Sequence, residues 1–387
     1  MTANWKGRTV GMNPPEPIVN LGTPTSVNLD AIMRELSAFH IAPPDRAGEI
    51  PLIRASSCNL ILIVSDRNEA ETMSPVLADV AEWHPCRSLL AFRQQDGITG
   101  QMPMQAWIRV QCRPQPGGGP QVCSEVITLA VSPEAAAGLP NTLLSLLMPD
   151  LPVFLYWRSA KDAGWNMARD LARAAGTLIV DLQTSLRHEG EVRSMLALLE
   201  HLPQGVALRD LSWQRLTAWR DLIAQFFDSR TARSLLQDLD KVEIRASSSP
   251  GENIPYPALL LAGWLISRLG WNEISAQRKG TTWISRRLTP GGEVQLGITS
   301  AESGTPEAGV LAVSLKTRGG ASFSVVFDPE NECMTSADST GEGLTHKVPL
   351  PAKGEAEMLI AELSLPDEDA VFRAAFSAAA ALEKSFQ

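Results

Sequence analysis

Cysteine, histidine and tyrosine are scarce in this 387-residue chain, with five Cys, five His and two Tyr. Cys58, Cys86, Cys112, Cys123 and Cys333 form no CxxC pair. So odd and sparse a set does not spell a disulfide framework. The histidines are equally scattered, and no four ligands have the spacing of a structural zinc site, so no metal is expected. A basic excess is also missing. Lys and Arg number 34 against 43 Asp and Glu, for a net charge of −9. That balance excludes a dominant attraction to nucleic acid or to an anionic membrane. No apolar run approaches the ~18 residues of a spanning helix. Met1 to Lys6 lack the apolar stretch of a signal peptide, and the expected compartment is the cytoplasm. There is no GxGxxG, no P-loop, no HExxH and no GxSxG. The standard catalytic signatures are therefore missing, and no cofactor is expected.

What is present reads as globular. Apolar residues make up 44% of the chain and charged residues 20%, which excludes global disorder. At ~150 residues per domain the length suggests two domains. Ten tryptophans stand out, because Trp combines a large contact area with a single N–H donor and suits both cores and interfaces.

The hydrophobic pattern divides the chain into an N-terminal arm and helix over 1–50, an α/β domain over 51–235 and a smaller α+β domain over 236–387. In the middle segment, Asn59 to Val64, Arg87 to Phe92, Leu151 to Trp157, Thr177 to Leu182 and Gly205 to Leu211 read as strands alternating with helices. Ala106 to Cys112 and Val122 to Val131 read as a hairpin around the Gly-rich loop Pro114 to Pro120. Trp213 to Phe227 reads as one amphipathic helix. This alternation predicts a doubly wound or mixed sheet covered on both faces. After residue 241 come a strand, the apolar helix Ala258 to Leu269, a run of short strands with Gly turns and two terminal helices. Together these predict an α+β unit with an antiparallel meander.

Polar residues follow several strands. If the strands are parallel, Asp66, Arg158, Asp181 and Asp210 share a crest at their carboxyl ends, where a sugar phosphate or nucleotide would bind in an open α/β sheet. The other reading of such Asp residues is helix capping. His84-Pro85-Cys86-Arg87 gathers a base, a thiol and a cation but offers no orienting third group. Cys112 and Cys123 flank the Gly-rich loop, so strand pairing would bring them opposite each other as a candidate redox pair; separate reduced thiols are the cytosolic default.

The string Leu147 to Trp157, LMPDLPVFLYW, resembles a signature of the glucose-6-phosphate dehydrogenase assembly proteins, the OpcA family. So do Glu82 to Arg87 (EWHPCR), Thr177 to Asp181 (TLIVD), Asp210 to Arg220 (DLSWQRLTAWR) and Leu260 to Trp271 (LLAGWLISRLGW). The likeness covers residues 54 to 271. Tyr156 stands where Trp is common, and Leu182 where Ser is common. The resemblance implies a non-catalytic partner that binds glucose-6-phosphate dehydrogenase and promotes its assembly or allosteric activation in the oxidative pentose phosphate pathway. In oxygenic phototrophs the family is also linked to thioredoxin-type redox control, which makes thioredoxin a candidate second partner, with Cys112 and Cys123 as the local pair on which it would act. The candidate partner-binding residues are Asp150, Leu151, Pro152, Tyr156, Trp157, Arg158, Trp219 and Arg220. Of Trp83, Trp157, Trp213, Trp219, Trp264 and Trp271 most are expected in the core, with one or two reaching a partner. The alternative is a small-molecule binding protein or relic enzyme using the crest.

Overall fold

The structure is a computed structural model. It describes residues 19–20, parts of 29–36, 52–54, 56–94, 103–113, 121–158, 165–185, 195–196, 199–248, 254–302, 309–339, 346–350 and 353–386. The arm before residue 19 and the Gly-rich loop 114–120 lie outside these residues. The chain divides into two compact units: Met1–Tyr156 with Ala163–Gly176, and Trp157–Asp162 with Thr177–Gln387.

The strands of the first unit are β1 (Val19–Asn20), β2 (Leu52–Arg54), β3 (Cys58–Val64), β4 (Cys86–Arg93), β5 (Met104–Arg113), β6 (Gln121–Val131) and β7 (Val153–Trp157). Their order is β1-β5-β6-β4-β3-β7, with β2 beside β6. β3, β4 and β6 run parallel, while β5 is antiparallel to β6, so the sheet is mixed. All seven residues of β3 are buried, as expected of a short β-branched run covered on both faces. Helices α1 (Arg67–Trp83), α2 (Leu139–Ser145) and α3 (Trp165–Ala175) belong to the same unit. Asn59 is fully buried yet polar. Its amide N–H donates to Met148 O (3.0 Å), and its Oδ1 accepts from Met148 N (2.8 Å). This fixes the chain just before Pro149-Asp150, where Asp150 takes a left-handed φ of 62°.

In the second unit, β8 (Gly176–Val180) and β9 (Ala207–Asp210) are parallel. They are followed by α4 (Leu211–Arg215) and α5 (Thr217–Gln225). These two helices correct the single helix expected over 213–227. The chain breaks at Leu216 (φ −82°, ψ −3°), which lets Arg215 point to Asp181 while Trp219, Leu222 and Ile223 turn into the core.

The second sheet of this unit has eight strands: β10 (Leu239–Ser248), β11 (Asn272–Lys279), β12 (Thr282–Thr289), β13 (Gly292–Glu302), β14 (Val310–Thr317), β15 (Ser322–Asp328), β16 (Cys333–Asp338) and β17 (His346–Pro349). The order is β11-β12-β13-β10-β14-β15-β16-β17. The meander is antiparallel as expected, except that β10 inserts between β13 and β14 and runs parallel to β13. One face buries Val242, Ile244, Leu296, Ile298, Leu315, Phe323 and Val325. Helices α6 (Tyr256–Leu269), α7 (Glu355–Leu363) and α8 (Ala370–Ser385) belong to the same unit. α6 crosses α8 closely at Gly263, where a Cβ would stand 2.2 Å from Ala375 O and 2.7 Å from Ala379 N. Only glycine fits this crossing.

Candidate functional site

The polar residues at the carboxyl ends of the parallel strands are the natural place to look for chemistry. In the first unit the turn from β3 into α1 supplies the N–H groups of a helix start, which attract anions. The chain's own carboxylates take them. Asp66 Oδ1 accepts from Glu69 N (2.9 Å), and Glu69 Oε2 turns back to accept from Ser65 N (2.7 Å) and Ser65 Oγ (2.6 Å). This capping arrangement places two negative groups where a phosphate would need donors.

In the second unit, the register sets Val180 of β8 beside Asp210 of β9, which brings Asp181 and Asp210 together. Both are buried. Arg215 meets Asp181 with both guanidinium nitrogens, at 2.7 and 2.8 Å, the bidentate geometry of a strong charge-assisted pair. Asp210 caps α4 through Ser212 N (2.9 Å), accepts from Leu182 N (3.3 Å) and accepts the Tyr256 hydroxyl hydrogen bond at 2.7 Å. Burial first, then the neighbouring Asp181 charge, push Asp210 up to about 6 despite those donors. Burial also drives the Tyr256 hydroxyl well above its ordinary value, and the Asp210 charge adds to it.

A second polar layer surrounds this pair. Gln214 donates to Glu362 Oε1 (2.8 Å) and Trp213 Nε1 to Asp369 Oδ2 (2.8 Å). Asp369 also caps α8 through Val371 N and Phe372 N. Arg209 donates to the backbone oxygens of Glu362, Leu365 (3.0 Å) and Asp367 (3.4 Å). Arg220 stacks on Trp213, 3.3 Å from the ring centroid, and burial lowers its guanidinium to about 10 against the pull of Asp369, Asp221 and Glu362. It stays charged at neutral pH. Each charged or hydrogen-bonding side chain in this cluster is engaged by another group of the same unit. The arrangement joins α4, α6, α7 and α8 and presents no free acid–base pair.

Residues 78–197 match the family model described as the glucose-6-phosphate dehydrogenase subunit N-terminal domain, and residues 206–376 the C-terminal domain of that subunit, both of OpcA type. The chain belongs to the OpcA family. OpcA of Nostoc punctiforme is 28% identical over 305 residues, 75% of this chain and 63% of that protein. OpcA of Synechocystis is 29% identical over 203 residues, 52% of this chain and 41% of that protein. Both are assigned by name to the OxPP cycle. The chain thus spans less than two thirds of the length of these relatives. An NAD binding oxidoreductase from Klebsiella pneumoniae shares the fold, with a TM-score of 0.50 at 10% identity over 86% of this chain and 96% of that one.

The OpcA signatures now acquire physical roles. In Asp210 to Arg220 nearly every polar residue holds another element in place, and Trp219 is core at 4% exposure. Arg87 of the EWHPCR segment is buried against Glu125, with its Nε donating at 2.8 Å and its NH1 donating to Leu146 O at 2.8 Å. Cys86 beside it is a buried free thiol facing Ser88 Oγ at 3.3 Å, with no catalytic dyad around it among the described residues.

Several expectations are corrected. Asp66, Asp181 and Asp210 do not form an open ligand crest, because capping and ion pairing consume them. Arg158 likewise pairs with Glu355 at 2.7 and 3.2 Å. Tyr156, Trp157 and Trp219 are buried and present no contact surface. Asp150 and Pro152 are exposed, and Leu151 is half-buried.

Of the six signature tryptophans, Trp83 stands out at 70% exposure, on the last turn of α1. Cys123 is disulfide-bonded, and the register places Cys112 directly opposite it on β5. Cys58, Cys86 and Cys333 are free. Tyr256, Glu362 and Asp369 were not singled out by the sequence. The one signal available was rarity, Tyr256 being one of only two tyrosines.

Proposed function

We propose that this chain is a non-catalytic partner of glucose-6-phosphate dehydrogenase, promoting its assembly or allosteric activation and so serving the oxidative pentose phosphate pathway. The observation that carries the reading is the fate of the strand-end residues. Asp181 is closed by Arg215, Asp210 by Tyr256 and the α4 start, and the α1 start by Asp66 and Glu69. A fold shared with an NAD binding oxidoreductase thus has its candidate ligand positions filled with its own side chains. Membership of a family described by a dehydrogenase subunit supports the choice of partner.

An activator works by binding the active state of its target more tightly than the inactive one. A coupling of ~1–3 kcal/mol changes the target's affinity or active population ~5–150-fold. The test is to titrate the purified chain into the dehydrogenase of its own organism, following KM, kcat and sedimentation. A shift in any of them supports the reading, and unchanged kinetics with no complex refutes it. The small-molecule alternative predicts instead that glucose 6-phosphate or a nucleotide alone raises the melting temperature of the chain.

A further inference from the structure

The ladder of the eight-stranded sheet fixes which side chains share a face. Ile284, Arg286 and Leu288 of β12 lie opposite Gly297, Gln295 and Glu293 of β13. These positions continue through Lys241, Glu243 and Arg245 of β10, Ser314 and Lys316 of β14, Ser324 and Val326 of β15, and Thr335 of β16. Apart from Gly297, every one of them is half-buried or exposed, whereas the alternate positions are buried. Two large apolar side chains stand on this bare face, Leu288 at 51% and Val326 at 46% exposure. Small residues at its centre, Gly297, Ser314 and Ser324, keep it flat enough for close approach.

Size and charge argue for an occupant. Eight strands ~4.8 Å apart, four or five residues deep at ~3.3 Å each, make a platform on the order of 500–600 Å² before side chains roughen it. A standard interface takes about 800 Å² from each partner, so the face supplies most of one. Its charge opposes that of the chain. Lys241, Arg245, Lys279, Arg286, Lys316 and Lys347 face Glu243, Glu293 and Asp328, leaving cations in excess on a molecule of net charge −9. Two copies of a net-positive face repel each other, which disfavours a second copy of this chain.

We infer that this face is a docking surface for a flat, net-acidic protein surface, which, resting on the function proposed above, belongs to the dehydrogenase. Leu288 and Val326 supply apolar contact, and the cations supply steering and register.

The experiment measures binding of the full chain to the purified dehydrogenase by calorimetry. It uses the wild type, the double variant Lys316→Glu/Val326→Asp and, as a control away from the sheet, Trp83→Ala. The double variant is expected to bind about 10-fold or more weakly with an unchanged melting temperature. Wild-type affinity is expected to fall as salt rises from about 50 to about 300 mM. Wild-type affinity in the double variant overturns the assignment while leaving the proposed function intact. Loss of binding in Trp83→Ala alone moves the docking surface to α1 and also overturns it. A wild-type dimer that the double variant dissociates makes a second copy the occupant, and the assignment to the dehydrogenase falls. Absence of any wild-type complex refutes the proposed function, and this docking assignment with it.

Discussion

The side-chain amide of Asn59 grips both backbone groups of Met148, donating at 3.0 Å and accepting at 2.8 Å across 89 residues of sequence. A fully buried Asn thereby acts as a substitute strand neighbour for the segment that leads into β7. Its replacement by Leu leaves a donor and an acceptor unpaired, each costing ~1–3 kcal/mol. Asn59→Leu is expected to lower stability by about 2–4 kcal/mol, whereas Asn59→Asp keeps the bond from Met148 N and restores the bond to Met148 O only when its carboxyl is protonated, so its loss should shrink as pH falls. Denaturant melts of both variants check the order, and equal losses would count against the two-bond clasp.

Arg87 and Glu125 form an ion pair at 2% and 0% side-chain exposure. Removing one partner strands the other charge in the core, at a cost of about 3–5 kcal/mol. Arg87→Met alone is therefore expected to be severely destabilised. Arg87→Met with Glu125→Leu should recover most of the loss, because well-packed apolar residues often replace buried pairs at little cost. A double-mutant cycle by chemical unfolding reads the coupling; additive losses would show that the two charges act independently.

Asp210 binds its proton in the folded state up to about pH 6, against an ordinary value of 3.8. Between those values the folded chain holds a proton that the unfolded chain has lost. Its contribution therefore favours folding at low pH and fades as pH rises through the window, reaching about 2–3 kcal/mol at most. This runs opposite to the usual behaviour of a paired carboxylate. Asp210→Asn keeps the oxygen that accepts from Ser212 N and Leu182 N, sets a donor NH2 against the Tyr256 hydroxyl oxygen, which can accept from it, and removes the titration. Its stability relative to wild type should rise between about pH 4 and pH 7. A flat difference across that range would reject the assignment.

Cys123 is disulfide-bonded opposite Cys112 in the β5–β6 ladder. With Cys112 as its partner the link would close a short loop and stabilise by about 3 kcal/mol in the chain-entropy view. Reduction by dithiothreitol or thioredoxin is expected to lower the melting temperature, and Cys112→Ser to abolish the difference between oxidised and reduced chains. A persistent difference would mean that Cys123 pairs elsewhere.

Strands such as Cys58–Val64 were legible because a short, apolar, β-branched stretch such as Leu60–Val64 has few alternatives to a buried strand, whereas the buried Asn59 within it gave no such signal. The caps at Asp66 and Asp210 were legible as one of two readings, and the structure chooses between them. What could not be read was the set of partners. Arg215 reaches Asp181 across 34 residues and Tyr256 reaches Asp210 across 46, and no local pattern encodes such distances. The break at Leu216 was hidden for the same reason, since both halves of 211–225 are amphipathic and only the tertiary pull on Arg215 separates them. The position of β10 within the second sheet was likewise invisible, because a strand's neighbours are set by topology rather than composition.

That position has a kinetic consequence. β10 precedes both of its neighbours in the chain, yet it sits between β13 and β14. During synthesis its two hydrogen-bonding edges stay unoccupied until residues 292–302 and 310–317 have left the ribosome. Such non-local pairing slows folding and leaves strand edges open to wrong partners. The nascent second unit is therefore a natural client for chaperones, and translation speed through residues 249–310 should govern how much soluble protein a cell recovers.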